Sequence, residues 1–522
     1  MRRNAPCHCG SNKRFKHCHG KYGLEDPTQN LQQQRQEALR HERRLQQGFG
    51  KPIQSYQLGN NRAVVVGRSL MIGKWPTFTN FVLEYFAERI GKQWVTSEIN
   101  LDEAGHPIGH WAVKMREQDA GRSPGIAKTT VNNAFRSMLS AAYNLYLIEH
   151  HYEQYDQPLL QRMLTRLRMK DGFLAALSEM QAAASFLQAG FFLEYEDDLQ
   201  PGQHAEFTAI YPPTGGRFSV EVKTRSGEDS GGDLKSRLKL KNKLSQALKK
   251  DLPHARVVFV DLNIPEIVTD VESRALEELL AQIEDAESTL KIKGSPAPSA
   301  YLFLINQPFH YNLTSVEGAP LVGAFGFKLE TFQPRIATFR QVVLGREMHP
   351  EMYRLIESMK IHGDPPSTFD GQHPEFAFGK DIAQSRWLVG NNYLVPGPGG
   401  EEVLAQLQSG IAVPQTKTMH GIFLAKGVNF IVQAPMTESE IAAYIRSPET
   451  FFGVVQHVTR QVKNTFELAD FFYENYKTTG KEKLLEFLKD HPAIETLRGK
   501  TQKDLAIFVS EQWALGAEKK KQ

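Results

Sequence analysis

Cysteine is nearly absent from this chain of 522 residues: there are three, Cys7, Cys9 and Cys18, all near the start. The rest of the chain therefore has no disulfide scaffold, and a reducing, cytoplasmic setting is expected. No run of about 18 apolar residues occurs, so no membrane span is expected. The opening M-R-R-N-A-P-C-H-C-G has no apolar middle of the kind a secretory signal needs. Tandem repeats and a G-x-x-x-x-G-K-[ST] loop are also missing, so no NTPase is expected. Excess charge of one sign is lacking too. With 62 Lys and Arg against 59 Asp and Glu, the net is only +3, and any affinity for nucleic acid must come from local patches.

What is present fits an ordinary folded chain: 41% hydrophobic and 23% charged residues are enough for real cores. The length allows roughly two to four domains. At the N-terminus Cys7, Cys9, Cys18 and His19 form C-x-C-x8-C-H. Three thiolates and an imidazole from the two ends of a short loop make a tetrahedral zinc set. The metal also supplies folding energy that so small a segment lacks. The stretch P-C-H-C-G-S-N-K-R-F-K-H-C-H-G resembles the SEC-C zinc motif over about residues 4–20, which implies bound Zn²⁺ but names no partner. Arg2, Arg3, Lys13, Arg14, Lys16 and Lys21 surround the ligands, and they suit either contact with a phosphate or protein partner or a solubilising face.

Beyond this motif, taken as residues 1–23, residues 24–50 read as a polar helical linker, Gln/Arg/Glu-rich and exposed, ended by Gly48 and Gly50. Residues 51–170 read as a mixed, mainly helical domain. It has a strand around A-V-V-V-G, a helix over Phe78–Ile90 and another over Ala127–His150. Trp94, Trp111 and Tyr143 suit a core, and His106, His110, His150 and His151 show no ligand spacing.

From Asp171 the order of elements becomes informative. A helix carries Phe173, Ala176, Met180 and Ala183 on one stripe, with Glu179 beside it. Three strands follow, F-F-L-E-Y-E, A-E-F-T-A-I-Y and F-S-V-E-V-K-T-R, the last two joined by the turn P-P-T-G-G. A basic helix over about Leu234–Lys250 and the strand A-R-V-V-F-V-D-L come next. Along the third strand Phe218, Val220 and Val222 alternate with Ser219, Glu221 and Lys223, which puts an acid and a lysine on the face opposite the apolar one. Taken alone, that pattern is also what a surface ion pair gives.

Helix, three strands, helix, strand, with Glu221 and Lys223 as (D/E)-x-K, resembles the core of the PD-(D/E)XK nuclease superfamily over about residues 171–262. The resemblance implies an α/β fold (α+β overall). Its core would be a restriction-endonuclease-like mixed sheet flanked by helices, beside the small zinc motif and a helical C-terminal region. It implies catalytic Glu179, Glu206, Glu221 and Lys223, with Glu206 and Glu221, and the Val222 carbonyl, holding Mg²⁺ or Mn²⁺. Glu206 stands where the superfamily has Asp, a departure that alters metal geometry, and Asp197 and Asp198 are second choices for that position. Arg225, Lys235, Arg237, Lys239, Lys241 and Lys243, continued by Lys249 and Lys250, form a cationic run suited to a nucleic-acid backbone, DNA or RNA. No base-reading motif accompanies it.

The nuclease-like core is placed at 171–311, with His310 and Tyr311 at its end. Residues 312–435 read as an α/β extension, and 436–522 as a helical region fit for a partner. Three functions remain open. One is a metal-dependent nuclease-like protein. Another is a catalytically inactive zinc-binding protein that docks on a ribosome, chaperone or secretion partner through the zinc motif. The third is a small-molecule hydrolase using the same carboxylates.

Overall fold

The computed structural model describes residues 27–101, 105–119, 130–152, 157–195, 205–225, 239–265, 274–318, 320–334, 338–378, 386–456 and 464–519. They form a mixed α/β structure. The chain runs α1 (Pro27–Gln47), β1 (Ser55–Leu58), β2 (Asn61–Val66), β3 (Ser69–Gly73), α2 (Phe78–Ile90), α3 (Lys92–Ile99), α4 (Pro107–Asp119), α5 (Asn133–His151), α6 (Gln157–Arg168) and α7 (Phe173–Gln188). Then come β4 (Phe192–Glu194), β5 (Phe207–Tyr211), β6 (Gly216–Thr224), α8 (Leu240–Leu248), β7 (Ala255–Asp261), α9 (Arg274–Thr289), β8 (Lys291–Ile292), β9 (Ser295–Pro296), β10 (Ala300–Asn306) and β11 (Leu321–Phe327). The remainder is α10 (Phe339–Met348), α11 (Pro350–Ile361), α12 (Pro374–Phe378), β12 (Asn392–Pro396), β13 (Glu402–Val413), β14 (Thr418–Ala425), β15 (Val428–Pro435), α13 (Glu438–Arg446), α14 (Thr465–Tyr476), α15 (Lys481–Phe487), α16 (Ile494–Arg498) and α17 (Gln502–Lys519). Among the described residues no helix is long and apolar enough to cross a membrane.

Two compact units share the chain, one made of residues 1–47 and 366–459, the other of 48–365 and 460–522. In the first, β12–β15 form an antiparallel sheet in chain order over a core that includes Trp387, Leu407, Phe423 and Phe451. Helix α1 belongs to this unit and is not an exposed linker. Ala38, Glu42 and Gln47 are buried, Arg35 donates to the Val389 carbonyl at 2.9 Å, and Gln47 donates to the Phe369 carbonyl at 3.1 Å. The helix docks by hydrogen bonds to backbone carbonyls, so its scarcity of leucine is a poor guide to its burial.

The second unit is built on a six-stranded mixed sheet in the order β11-β10-β7-β6-β5-β4. Strands β4, β5 and β6 are antiparallel neighbours, β6–β7 and β7–β10 are parallel, and β10–β11 is antiparallel. The sheet thus continues past residue 311 into β11. The P-P-T-G-G turn between β5 and β6 forms as read: Gly215 takes φ +72°, which favours glycine, and its N–H donates to the Tyr211 carbonyl at 2.8 Å.

Each parallel step needs a crossover, and α8 and α9 provide these. Leu240, Leu244 and Leu248 of α8 and Leu279 and Ile283 of α9 bury against Val258, Val260, Leu302 and Leu304. On the opposite face Phe186 of α7 meets Phe207 and Phe259, with ring centroids 5.7 and 5.9 Å away. Helix α5, buried on nearly all sides, is the centre of the helical layer, and its N-cap Asn132 accepts from the Phe135 N–H. The C-terminal helices share a core with α10 through Phe339, Val343, Leu484 and Leu505.

Candidate functional site

Strand β6 carries the site, and its environment differs from the half-solvated strand read from alternation. Phe218 through Val222 are all buried, because helices cover both faces of this central strand. Register partners Glu221↔Val258 and Lys223↔Val260 put the acid and the lysine on the α8 face. Glu221 is 1% exposed, so a surface ion pair is excluded. Its Oε2 accepts from Lys223 Nζ at 2.8 Å and its Oε1 from Lys250 Nζ at 2.6 Å, so an ammonium sits on each oxygen of the buried carboxylate.

Glu206 immediately precedes β5, and its N–H donates to the Val220 carbonyl at 3.0 Å, extending the ladder. That brings its side chain to the same lysine. Lys223 Nζ lies 2.8 Å from Glu221 Oε2, 3.0 Å from the Val222 carbonyl and 3.4 Å from Glu206 Oε1. The three oxygens read from sequence as metal ligands thus converge on one point, and a lysine ammonium occupies it. Burial works to lower the Lys223 pKa, but the Glu221 and Glu206 carboxylates outweigh it and the net shift is upward. The lysine is therefore firmly charged at neutral pH.

Glu179, on α7, makes a two-pronged pair with Arg166 of α6, at 2.5 and 2.7 Å. Burial raises its pKa, Arg166 lowers it and Glu206 raises it again, with Lys223 also acting on it, so Glu179 lies within electrostatic reach of the cluster. Arg166 was not among the residues singled out from sequence. Its pairing depends on two helices meeting, and no local spacing signals that.

Asp261, also missed, ends β7 at the carboxyl side of the parallel strands, where open α/β sheets place ligands. Burial pushes its carboxyl up to about 6, against hydrogen bonds from Ser178 and the Asn263 N–H and the charge of Lys243. Ser178 Oγ donates to it at 2.5 Å. A lone acid closing the apolar run V-V-F-V was the available signal.

The cationic run is largely turned to structural use. Arg225, expected at a phosphate-contacting surface, is 6% exposed and donates to the Asn263 carbonyl at 2.9 Å. Lys243 Nζ donates to the Thr224 carbonyl at 2.6 Å, and burial, then Lys223 and Arg225, depress its pKa. Lys241 reaches Thr289 at 2.5 Å and Asp285 at 3.4 Å on α9. Lys239 is exposed, in a left-handed conformation before α8. Lys235, Arg237, Asp197, Asp198 and the zinc-type set Cys7, Cys9, Cys18 and His19 lie outside the described residues. Tyr311 donates to the Asn263 carbonyl at 2.7 Å, beside the parallel strand ends.

Among the described residues no group of three or more His, Cys, Asp or Glu side chains is arranged to hold a metal ion. The donors available to a divalent cation at β6 are two carboxylates and a carbonyl, hard oxygens of the type Mg²⁺ and Mn²⁺ take. They fit such an ion only if the Lys223 ammonium gives up the point on which they converge.

Comparison with known proteins adds one assignment. Residues 3–21 match the family model described as the SEC-C motif, a motif that commonly binds zinc. No curated protein and no solved structure matches the chain.

Proposed function

We propose that the six-stranded sheet carries a metal-dependent phosphodiesterase site acting on nucleic acid, DNA or RNA. The SEC-C segment would bind Zn²⁺ through Cys7, Cys9, Cys18 and His19 and serve as a docking knob for a partner or for the nucleic acid. The observation that carries this reading is the convergence of Glu206, Glu221 and the Val222 carbonyl around Lys223 Nζ. It is supported by the element order α7, β4–β6, α8, β7, the one implied by the PD-(D/E)XK resemblance.

Glu206 and Glu221 would hold the Mg²⁺ or Mn²⁺, which when bound supplies Lewis acidity and a more acidic water. Lys223, released from the carboxylates, carries the positive charge needed beside a phosphoryl group that gathers negative charge. Lys250 keeps one Glu221 oxygen compensated throughout, which fixes the carboxylate's orientation. Glu179, with its pKa raised and Arg166 beside it, is placed to adjust the charge near Glu206.

The test is cleavage of single- and double-stranded DNA and RNA with Mg²⁺ or Mn²⁺, wild type beside Glu221→Gln and Lys223→Ala. Cutting that disappears in both variants upholds the site. A second reading, a zinc-bearing binding protein without catalysis, is favoured by the two lysines that already neutralise Glu221. It gains if no substrate is cut with either metal while zinc remains bound.

A further inference from the structure

We propose that a cleft at the edge of the sheet takes one nucleobase of a single-stranded nucleic acid, seated against the rings of Tyr152 and Tyr195. This rests on the phosphodiesterase reading and adds to it the form of the substrate. The cleft measures about 340 Å³ and is walled by Ile148, His151, Tyr152 and Leu187 on the helical side and by the edge strand from Phe192 to Tyr195 on the other. That volume is at the small end of ligand pockets, enough for a base with part of its sugar.

The walls suit a planar, uncharged guest. Tyr152 and Tyr195 stand 5.9 Å apart at 49°, and both residues are half-buried. His151 is committed on both nitrogens: Nε2 accepts from the Lys51 N–H at 2.6 Å, and Nδ1 lies 2.8 Å from the Leu147 carbonyl. It therefore presents a flat neutral ring. Glu194 at the rim is paired with Arg217, and no cation is among the described residues that line the cleft. Aromatic side chains are where the bases of a single strand stack, while cations elsewhere along the groove hold its backbone.

Tyr195 also connects the cleft to Glu179. The Tyr195 hydroxyl, buried and without a hydrogen-bond partner among the described residues, is within electrostatic reach of Glu179. Its ring packs 5.8 Å from Phe207, the residue after Glu206. Leu187 in the cleft wall and Glu179 lie on one helix, about 12 Å apart at 1.5 Å per residue. A strand whose backbone passes Glu179 can therefore place a base about two nucleotides away in the cleft.

The experiment titrates the full chain, its zinc retained, into a single-stranded oligonucleotide carrying 2-aminopurine, with Ca²⁺ in place of Mg²⁺ or Mn²⁺ so that binding is read without cleavage. The expected result is quenching of the base's fluorescence. Tyr152→Leu is expected to reduce the quenching and weaken binding about tenfold, in keeping with the loss of one stacked base. Tyr195→Leu, a more deeply packed change, is scored only after its thermal unfolding matches the wild type. Binding without quenching, or equal affinity for an oligonucleotide abasic throughout, overturns the cleft while leaving metal-dependent cleavage to stand or fall separately. If the oligonucleotide does not bind at all, the cleft and the phosphodiesterase reading fall together.

Discussion

Lys250 reaches from just beyond the end of α8 to Glu221 in the middle of β6, Nζ to Oε1 at 2.6 Å. The contact ties the crossover helix to the strand it follows, and with Lys223 on Oε2 it leaves no oxygen of the buried carboxylate uncompensated. Removing a charge from water is expensive, so the buried acid depends on the lysines that face it.

Glu221→Gln strands two lysines against a buried amide and is expected to lower unfolding stability by about 3 kcal/mol. Lys250→Met leaves Lys223 on Glu221, and the loss should be nearer 1 kcal/mol. Urea denaturation of the three proteins measures the difference. Equal losses would mean that Lys223 alone does not compensate the acid.

Acid sensitivity follows from four histidines of the sheet-containing unit. Burial pushes His106, His150 and His310 from 6.5 down to about 4 and His151 to about 3. The unfolded chain takes up protons at these sites below about 6.5 and the folded chain does not, so their stability is present above that pH and lost as pH falls toward 4. Asp261 has the opposite sign. Its folded carboxyl, raised from 3.8 to about 6, keeps a proton the unfolded chain releases, so its contribution is present below about 3.8 and lost as pH rises to 6. The four outweigh the one. Urea midpoints should climb between pH 4.5 and 6.5, and Asp261→Asn should make the climb steeper; a flat profile in the wild type contradicts the assignment.

Where the sequence pattern is local, it was readable. Phe78–Ile90 as a helix, the P-P-T-G-G turn and the run from α7 through β7 are each specified by periodicity or by turn chemistry within a few residues. Polar burial was not readable. Alternation along β6 says which side chains share a face, but not that Lys250, 29 residues on, will bury that face's acid. Arg225 looked like part of a cationic surface because its acceptor, the Asn263 carbonyl, is 38 residues away. Helix α1 looked like a spacer for the same reason, its partners lying in residues 366–456. The candidate site was thus half legible: its carboxylates and lysine were named, but the salt bridges that hold them were not.

Zinc at the N-terminal motif is expected at about one ion per chain by elemental analysis, with thiolate and imidazole ligands. Cys18→Ser should release it. Because so short a segment folds around its metal, the loss should abolish any partner binding that depends on the motif. The urea midpoint of the rest of the chain should not move. A zinc content unchanged in Cys18→Ser would remove that residue from the ligand set.

Lys223→Met separates the two roles a lysine can have at this point. If the ammonium only neutralises carboxylates, its loss leaves Glu206 and Glu221 facing each other across a vacated position, and the protein should unfold more easily with or without Mg²⁺. If the oxygens are metal donors, removing the competing cation should tighten Mn²⁺ binding several-fold, measured by calorimetry. The added metal should then restore the lost stability by mass action. Cleavage should still fall by about two to three orders of magnitude, because the charge that stabilises the transition state is gone. Tighter metal with slower cutting is a combination that a purely structural lysine cannot produce. Weaker or unchanged Mn²⁺ binding in Lys223→Met would show that the three oxygens around Nζ are a cage for the ammonium itself.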